Sequence, residues 1–153
     1  MTSPAVSDQH KDLMDRRYDS GVADINRLCD ELRDLKPGTE VSYVDPIHDA
    51  DECRVVSLYS NIGHASDTGF IWPGDQEATT RMLGLQWQLG LRPQYVMPWN
   101  VHPWFTPGEA NGKLTPDQIN AGLKPLLKML TLVPRASVLV AHGRKCPCRS
   151  RHR

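Results

Sequence analysis

The sequence predicts an α/β domain, a three-layer α/β/α sandwich whose mostly parallel sheet has helices on both faces. Three observations predict it. Short apolar runs rich in β-branched and aromatic residues, "CRVVSLY", "QYVMPW" and "PRASVLVAHG", are spaced along the chain. The segments between them are long enough for crossovers, and each contains a helical pattern. The order strand, helix, strand, helix, strand then favours right-handed crossovers and parallel pairing. A length of 153 residues suits one domain with a real core.

Residues 1–9 are expected to form a disordered leader, and residues 10–143 the domain. From His10 to Leu35, apolar residues recur at Leu13, Val22, Ile25, Leu28, Leu32 and Leu35 among charges. This pattern reads as one or two amphipathic helices, clearest from Val22 and stopped by "KPGTE". Residues 36–52 read as a loop. The first strand leads into the glycine-bearing loop "SNIGHASDTGFIWPGDQ". A helix is expected from Glu77 to Leu89, closed by Gly90 as its C-terminal cap. After the second strand comes a long loop. Thr115 then caps a helix with Pro116 in its first turn, running to about Leu132. The third strand follows, and residues 144–153 form a basic tail.

Composition narrows the class. The apolar fraction of 39% and mean hydropathy of -0.47 lie on the polar side, yet above what disorder requires. No apolar run approaches the roughly 20 residues of a membrane span, and no secretory leader opens the chain. The expectation is a soluble, cytoplasmic protein with no membrane partner. Twelve prolines and eleven glycines point to long, shaped loops. Cys29 falls in a helical pattern and Cys53 just before a strand, so both read as small apolar residues rather than a secreted disulfide framework. The net charge of zero hides an asymmetry. Residues 144–153 hold five of the 18 basic residues and no acid, leaving 13 basic against 18 acidic elsewhere, a balance of -5. Any nucleic-acid contact is therefore local rather than a general electrostatic footprint.

In parallel sheets, ligands bind at the carboxyl ends of the strands. Here those ends carry "SNIGH", "WNVHP" and "AHGRK". Asn100, ringed by Trp99, Trp104, Phe105 and nearby prolines, offers a fork-shaped amide suited to reading a flat polar ring; the ordinary reading is an Asx turn at a strand exit.

In the order "YSNIG", "TGFIWPG", "WNVHPW", "TPDQINAGLKPLLKML" and "ASVLVAHG", the chain resembles the uracil-DNA glycosylase superfamily, nearest its bacterial branch with a Gly-Glu-x-Pro-Gly type first motif. The resemblance covers about Pro37 to Gly143. It implies hydrolysis of the N-glycosidic bond of a flipped uracil in base excision repair, by a monomer acting on single- or double-stranded DNA with no cofactor and no metal. By resemblance, Asn100 reads the base, and Trp72, or alternatively Phe70, stacks on it. Ser60 stands where related sequences carry an acid. Asn61 matches the asparagine of the mismatch-specific branch, which positions water but cannot take its proton. Gly63 lets the backbone approach the base or a phosphate. His64 and Asp67 are candidate substitutes for the missing acid, and His102 is a candidate pocket residue.

The family pattern continues into a fourth strand and a His-Pro-Ser type segment whose histidine stabilises the departing uracil. No residue here matches it, so the resemblance implies a C-terminally truncated domain of impaired activity, with the third strand open on an edge and a face. The break in composition at the tail is what a shifted reading frame would produce. The alternative is a non-catalytic relic, a base- or DNA-binding module of the same fold. A nucleotide-binding domain of other function is a third reading, lacking a phosphate-cradling glycine motif. The set His142, Cys146, Cys148 and His152 has ligand types that zinc accepts, but one Cys-x-Cys alone is a weak metal signal. Cys29 and Cys53 lack partners at iron–sulfur spacing.

Overall fold

The computed structural model describes residues 11–59, 69–71, 84–106 and 114–142. Residues 11–15 are helical, and helix α1 spans Ala23–Leu35. Its apolar stripe buries Val22, Ile25, Leu28, Cys29 and Leu32 in the core. Leu35, the last position of the same stripe, is 71% exposed, because the helix outruns the core in its final turn. Cys29 and Cys53 are both buried free thiols, and burial pushes both pKa values up, which keeps them protonated and apolar in character.

Strands β1 (Glu40–Val41) and β4 (Trp104–Phe105) pair antiparallel, Val41 opposite Trp104. Residues 36–52 therefore contain a strand where the sequence reads only a loop. Two residues are too few to show an alternation, so the sequence carries no signal for it. The Trp104 indole N–H donates to the Leu32 carbonyl at 2.7 Å, tying this pair to the end of α1.

The central sheet has three strands, all parallel, in the order β3-β2-β5: β2 is Val55–Tyr59, β3 is Val96–Asn100 and β5 is Val138–His142. Pro98 occupies the middle of β3, in register with Ser57. Helix α2 (Pro116–Thr131) returns the chain from β3 to β5. It begins as the sequence predicts, with a reciprocal capping box: the Gln118 N–H donates to the Thr115 hydroxyl at 3.2 Å, and the Thr115 N–H to the Gln118 side chain at 2.9 Å. The helix expected at 77–89 is described over residues 84–88. Its closure is as expected. Gly90 adopts φ +73, its N–H reaches the Trp87 carbonyl, and the Leu91 N–H reaches the Gln86 carbonyl, a complete Schellman arrangement. The fold is thus mixed α/β, with a small parallel sheet and a separate antiparallel pair.

Along β5, Val138, Leu139 and Val140 are 51%, 50% and 39% exposed. Alternation sends these side chains to both faces, and among the described residues no strand pairs with the outer edge. Among the described residues, no helix is long and apolar enough to cross a membrane.

Polar pins replace part of the apolar core. Asn26, fully buried in α1, donates through Nδ2 to the carbonyls of Arg17 (2.7 Å) and Val44 (3.0 Å) and accepts from the Val44 N–H (2.8 Å). Tyr18 and Tyr43 donate their hydroxyls to the two oxygens of Asp30, and Arg33 approaches one of them at 3.3 Å. The Arg17 guanidinium lies over both tyrosine rings, at 4.7 and 5.4 Å from their centroids. Burial and the neighbouring carboxylate push the Tyr43 phenol up to about 12. Burial works to raise the Asp30 carboxyl, but the two tyrosine hydrogen bonds and the flanking guanidinia outweigh it and hold the group below the usual carboxylate value.

Two measurements check these pins. Asn26→Ala orphans one backbone N–H and two carbonyls and is expected to destabilise by about 3 kcal/mol in urea unfolding. Asp30, depressed in the folded state, adds stability that is present above its unfolded pKa and lost as pH falls from about 4 through the folded value. The urea midpoint of the unmodified chain should therefore drop faster below pH 4 than that of Asp30→Asn.

Candidate functional site

The three parallel strands end together. Tyr59 is in register with Asn100 on one side and with His142 on the other, so the last residues of β2, β3 and β5 form a single row at the carboxyl edge. This is the edge at which the sequence places the site.

Alternation fixes which way Asn100 points. Met97 and Trp99 belong to the core cluster that contains Ile25 and Leu28 of α1 and Met129 of α2, whereas Val96, though buried, lies outside it. Asn100, two and four residues from Pro98 and Val96, shares their face, opposite that of Met97 and Trp99. It is 2% exposed, and among the described residues its Oδ1 has no hydrogen-bond partner. An Asx turn would have used that oxygen. A buried amide oxygen left unpaired costs about 1–3 kcal/mol. Trp99 Nε1, Ser42 Oγ and Arg17 Nε are likewise unpaired, but of the four atoms only Asn100 Oδ1 belongs to this terminal row.

Tyr59 is the neighbour that sequence reasoning missed. It lies beside Asn100 in the row and on the same face, and it is buried. Burial raises its phenol pKa, so the ring stays neutral. A tyrosine ending a strand just before a glycine-bearing loop was the available signal.

Beyond Asn100 the chain is held from the opposite side. The Val101 N–H donates to the Tyr59 carbonyl at 2.9 Å, continuing the ladder one residue further. His102 Nδ1 lies 3.0 Å from the Gln118 carbonyl, which can only accept, so Nδ1 carries the proton. The ring meets Trp104 edge-on at 5.4 Å, and Lys36 Nζ sits 3.9 Å from the centroid of the same indole. Burial lowers the His102 pKa, the hydrogen bond to Gln118 raises it in part, and Lys36 lowers it further, which leaves the ring neutral at pH 7. His102 is thus committed to α2 and Trp104, not to the face that Asn100 uses.

Phe70 is 1% exposed and sits in the core cluster, bridged to Tyr43. Ser60, Asn61, Gly63, His64, Asp67 and Trp72 lie outside the described residues, as do Cys146, Cys148 and His152. Among the described residues no group of three or more His, Cys, Asp or Glu side chains could hold a metal ion. Family models, curated proteins and solved structures give no match to the chain.

If the Asn100 amide were structural, an apolar replacement would destabilise the fold. Because its oxygen is unpaired, Asn100→Leu is expected to leave the thermal midpoint unchanged or raise it, as measured by calorimetry.

Proposed function

We propose that the chain is a uracil-DNA-glycosylase-like protein that receives a flipped uracil against Asn100. The observation that supports this is the buried, unpaired Oδ1 at the carboxyl edge of a parallel sheet. Uracil presents a ring N–H next to a carbonyl. Oδ1 accepts from the first, and Nδ2 donates to the second. In the reaction, a water oxygen bonds to C1′ of the deoxyribose as the C1′–N1 bond breaks. The bonding pair leaves with uracil, and the water proton passes to solvent or to a base, leaving an abasic site.

The remaining parts follow the resemblance. Asn61, with Ser60, positions the water, and Trp72 stacks on the base for roughly 1–3 kcal/mol. Gly63 admits the backbone close to the substrate. No cofactor or metal enters the reaction, and the protein works as a cytoplasmic monomer on uracil-containing DNA. The three-layer sandwich is part of the same reading, and the strand order supports it. The step from β2 out to β3 and the step from β3 back past β2 to β5 run in opposite directions. Two right-handed crossovers of opposite direction place their helices on opposite faces, which is the arrangement a three-layer sandwich needs.

A binding module with the same pocket is the second reading. It is favoured by the serine at position 60, where related sequences carry an acid. Alkali-sensitive cleavage of single-stranded and U:G oligonucleotides separates the two. Under the enzymatic reading the chain leaves abasic sites, and Asn100→Ala lowers the rate by roughly a hundredfold or more. Binding of uracil strands that depends on Asn100 without cleavage establishes the module. Neither cleavage nor preference overturns both.

A further inference from the structure

Helix α2 approaches the turn after Asn100 more closely than any side chain would allow. A Cβ built on Gly122 would lie 1.7 Å from the Val101 carbonyl oxygen, 2.9 Å from the Val101 carbonyl carbon and 3.4 Å from the His102 Cα. All three are main-chain atoms, so no rotamer change can relieve the overlap. One helical turn earlier, the Gln118 carbonyl accepts the hydrogen bond from His102 Nδ1 at 3.0 Å. Two independent contacts from one helix therefore clamp the two residues that follow Asn100. Neither contact is needed to form the helix, whose capping box is complete without them.

We infer that Gly122 is a positioning residue for the Asn100 amide, with the Gln118–His102 hydrogen bond as its auxiliary. The inference rests on the reading of Asn100 as the residue that recognises uracil. Its physical basis is the ambivalence of an amide. An amide free to turn over matches uracil with one orientation and cytosine with the other, since it carries both a donor and an acceptor. The turn itself is a side-chain torsion that the bound base sets. Where the amide stands against the base edge is set by the main chain, and here α2 presses the Val101 carbonyl from one side while the Tyr59 carbonyl holds the Val101 N–H from the other. Gly122 is thus placed to set which uracil-like edges the pocket accepts, without touching the base.

The experiment uses the full chain and two variants of α2. Gly122→Ala must open the Val101 contact from 1.7 Å toward the 3.4 Å of ordinary packing. Leu123→Ala, on the exposed side of the same helix, controls for a general loss of helix stability. The first readout is the side-chain amide signal of Asn100 in nitrogen-15 NMR of the free protein. The second is the binding preference for a uracil-containing over a cytosine-containing single strand, by fluorescence anisotropy. Gly122→Ala is expected to move the Asn100 amide signals and lower the preference about tenfold, as the loss of one well-placed hydrogen bond does, while Leu123→Ala changes neither. Unmoved amide signals in folded Gly122→Ala overturn the inference, whatever happens to binding. If Gly122→Ala does not fold, His102→Ala decides, since it removes the Gln118 hydrogen bond, along with the edge contact to Trp104, and leaves Gly122 in place: shifted Asn100 signals support the clamp, and unshifted ones overturn it. Signals that move in a protein with no uracil preference leave the positioning role standing and defeat the uracil reading instead.

Discussion

The constraint on which the site depends is the two-residue period of strand β3. Met97 and Trp99 are large, apolar and fully enclosed by the core, so the strand cannot rotate or slip by one residue without moving both into the opposite layer. Asn100 is consequently held on the face opposite Met97 and Trp99. Its burial on the other face, with an unpaired oxygen, is a by-product of where the tryptophan next to it must go. Hydrophobic packing thus aims a polar group, and the hydrogen bond from Val101 to Tyr59 and the pressure of Gly122 keep the aim from drifting at the strand's end.

A chain with 39% apolar residues has limited means to fix its N-terminal layer by packing alone. Here polar side chains share that task. Asn26 joins α1 to the turn before it and to the segment after β1 through three hydrogen bonds. Asp30 gathers two tyrosines and an arginine from separate points along the chain. Such networks stabilise only when every member is satisfied, which makes them stricter than an apolar contact about the exact placement of each element.

What was legible in the sequence follows from the range over which each signal acts. The capping box at Thr115 and the glycine closure at Gly90 are local, and both are found where the residues predict them. The three strands were visible as β-branched runs, and their shared carboxyl edge followed from order alone. The pins at Asn26 and Asp30 were not legible, since their partners are up to 18 residues away and nothing in a polar residue on a helical stripe announces a buried role. Two-residue strands such as β1 and β4 have no period to detect. The resemblance offers Phe70 as the alternative stacking ring, whereas the folded chain buries it in the core cluster beside a bridge to Tyr43, 27 residues away in sequence. Gly122 did leave a trace, a glycine inside a helical pattern, but its meaning required knowing that Val101 passes against it.

Pro98 has a consequence for how the sheet can grow. Tyr95 accepts from the Arg54 N–H and Val101 donates to the Tyr59 carbonyl, so the odd-numbered residues of β3 direct their main-chain groups at β2. Pro98, being even, turns its nitrogen outward, where the proton that an incoming strand would need is missing. Strand addition at that border therefore forgoes one ladder hydrogen bond. The far border, Val138 to Val140, has no proline and no charge to refuse a newcomer. The sheet is accordingly uneven for assembly: a proline removes one ladder donor on the side of the Asn100 strand, whereas among the described residues the β5 side carries no such obstacle.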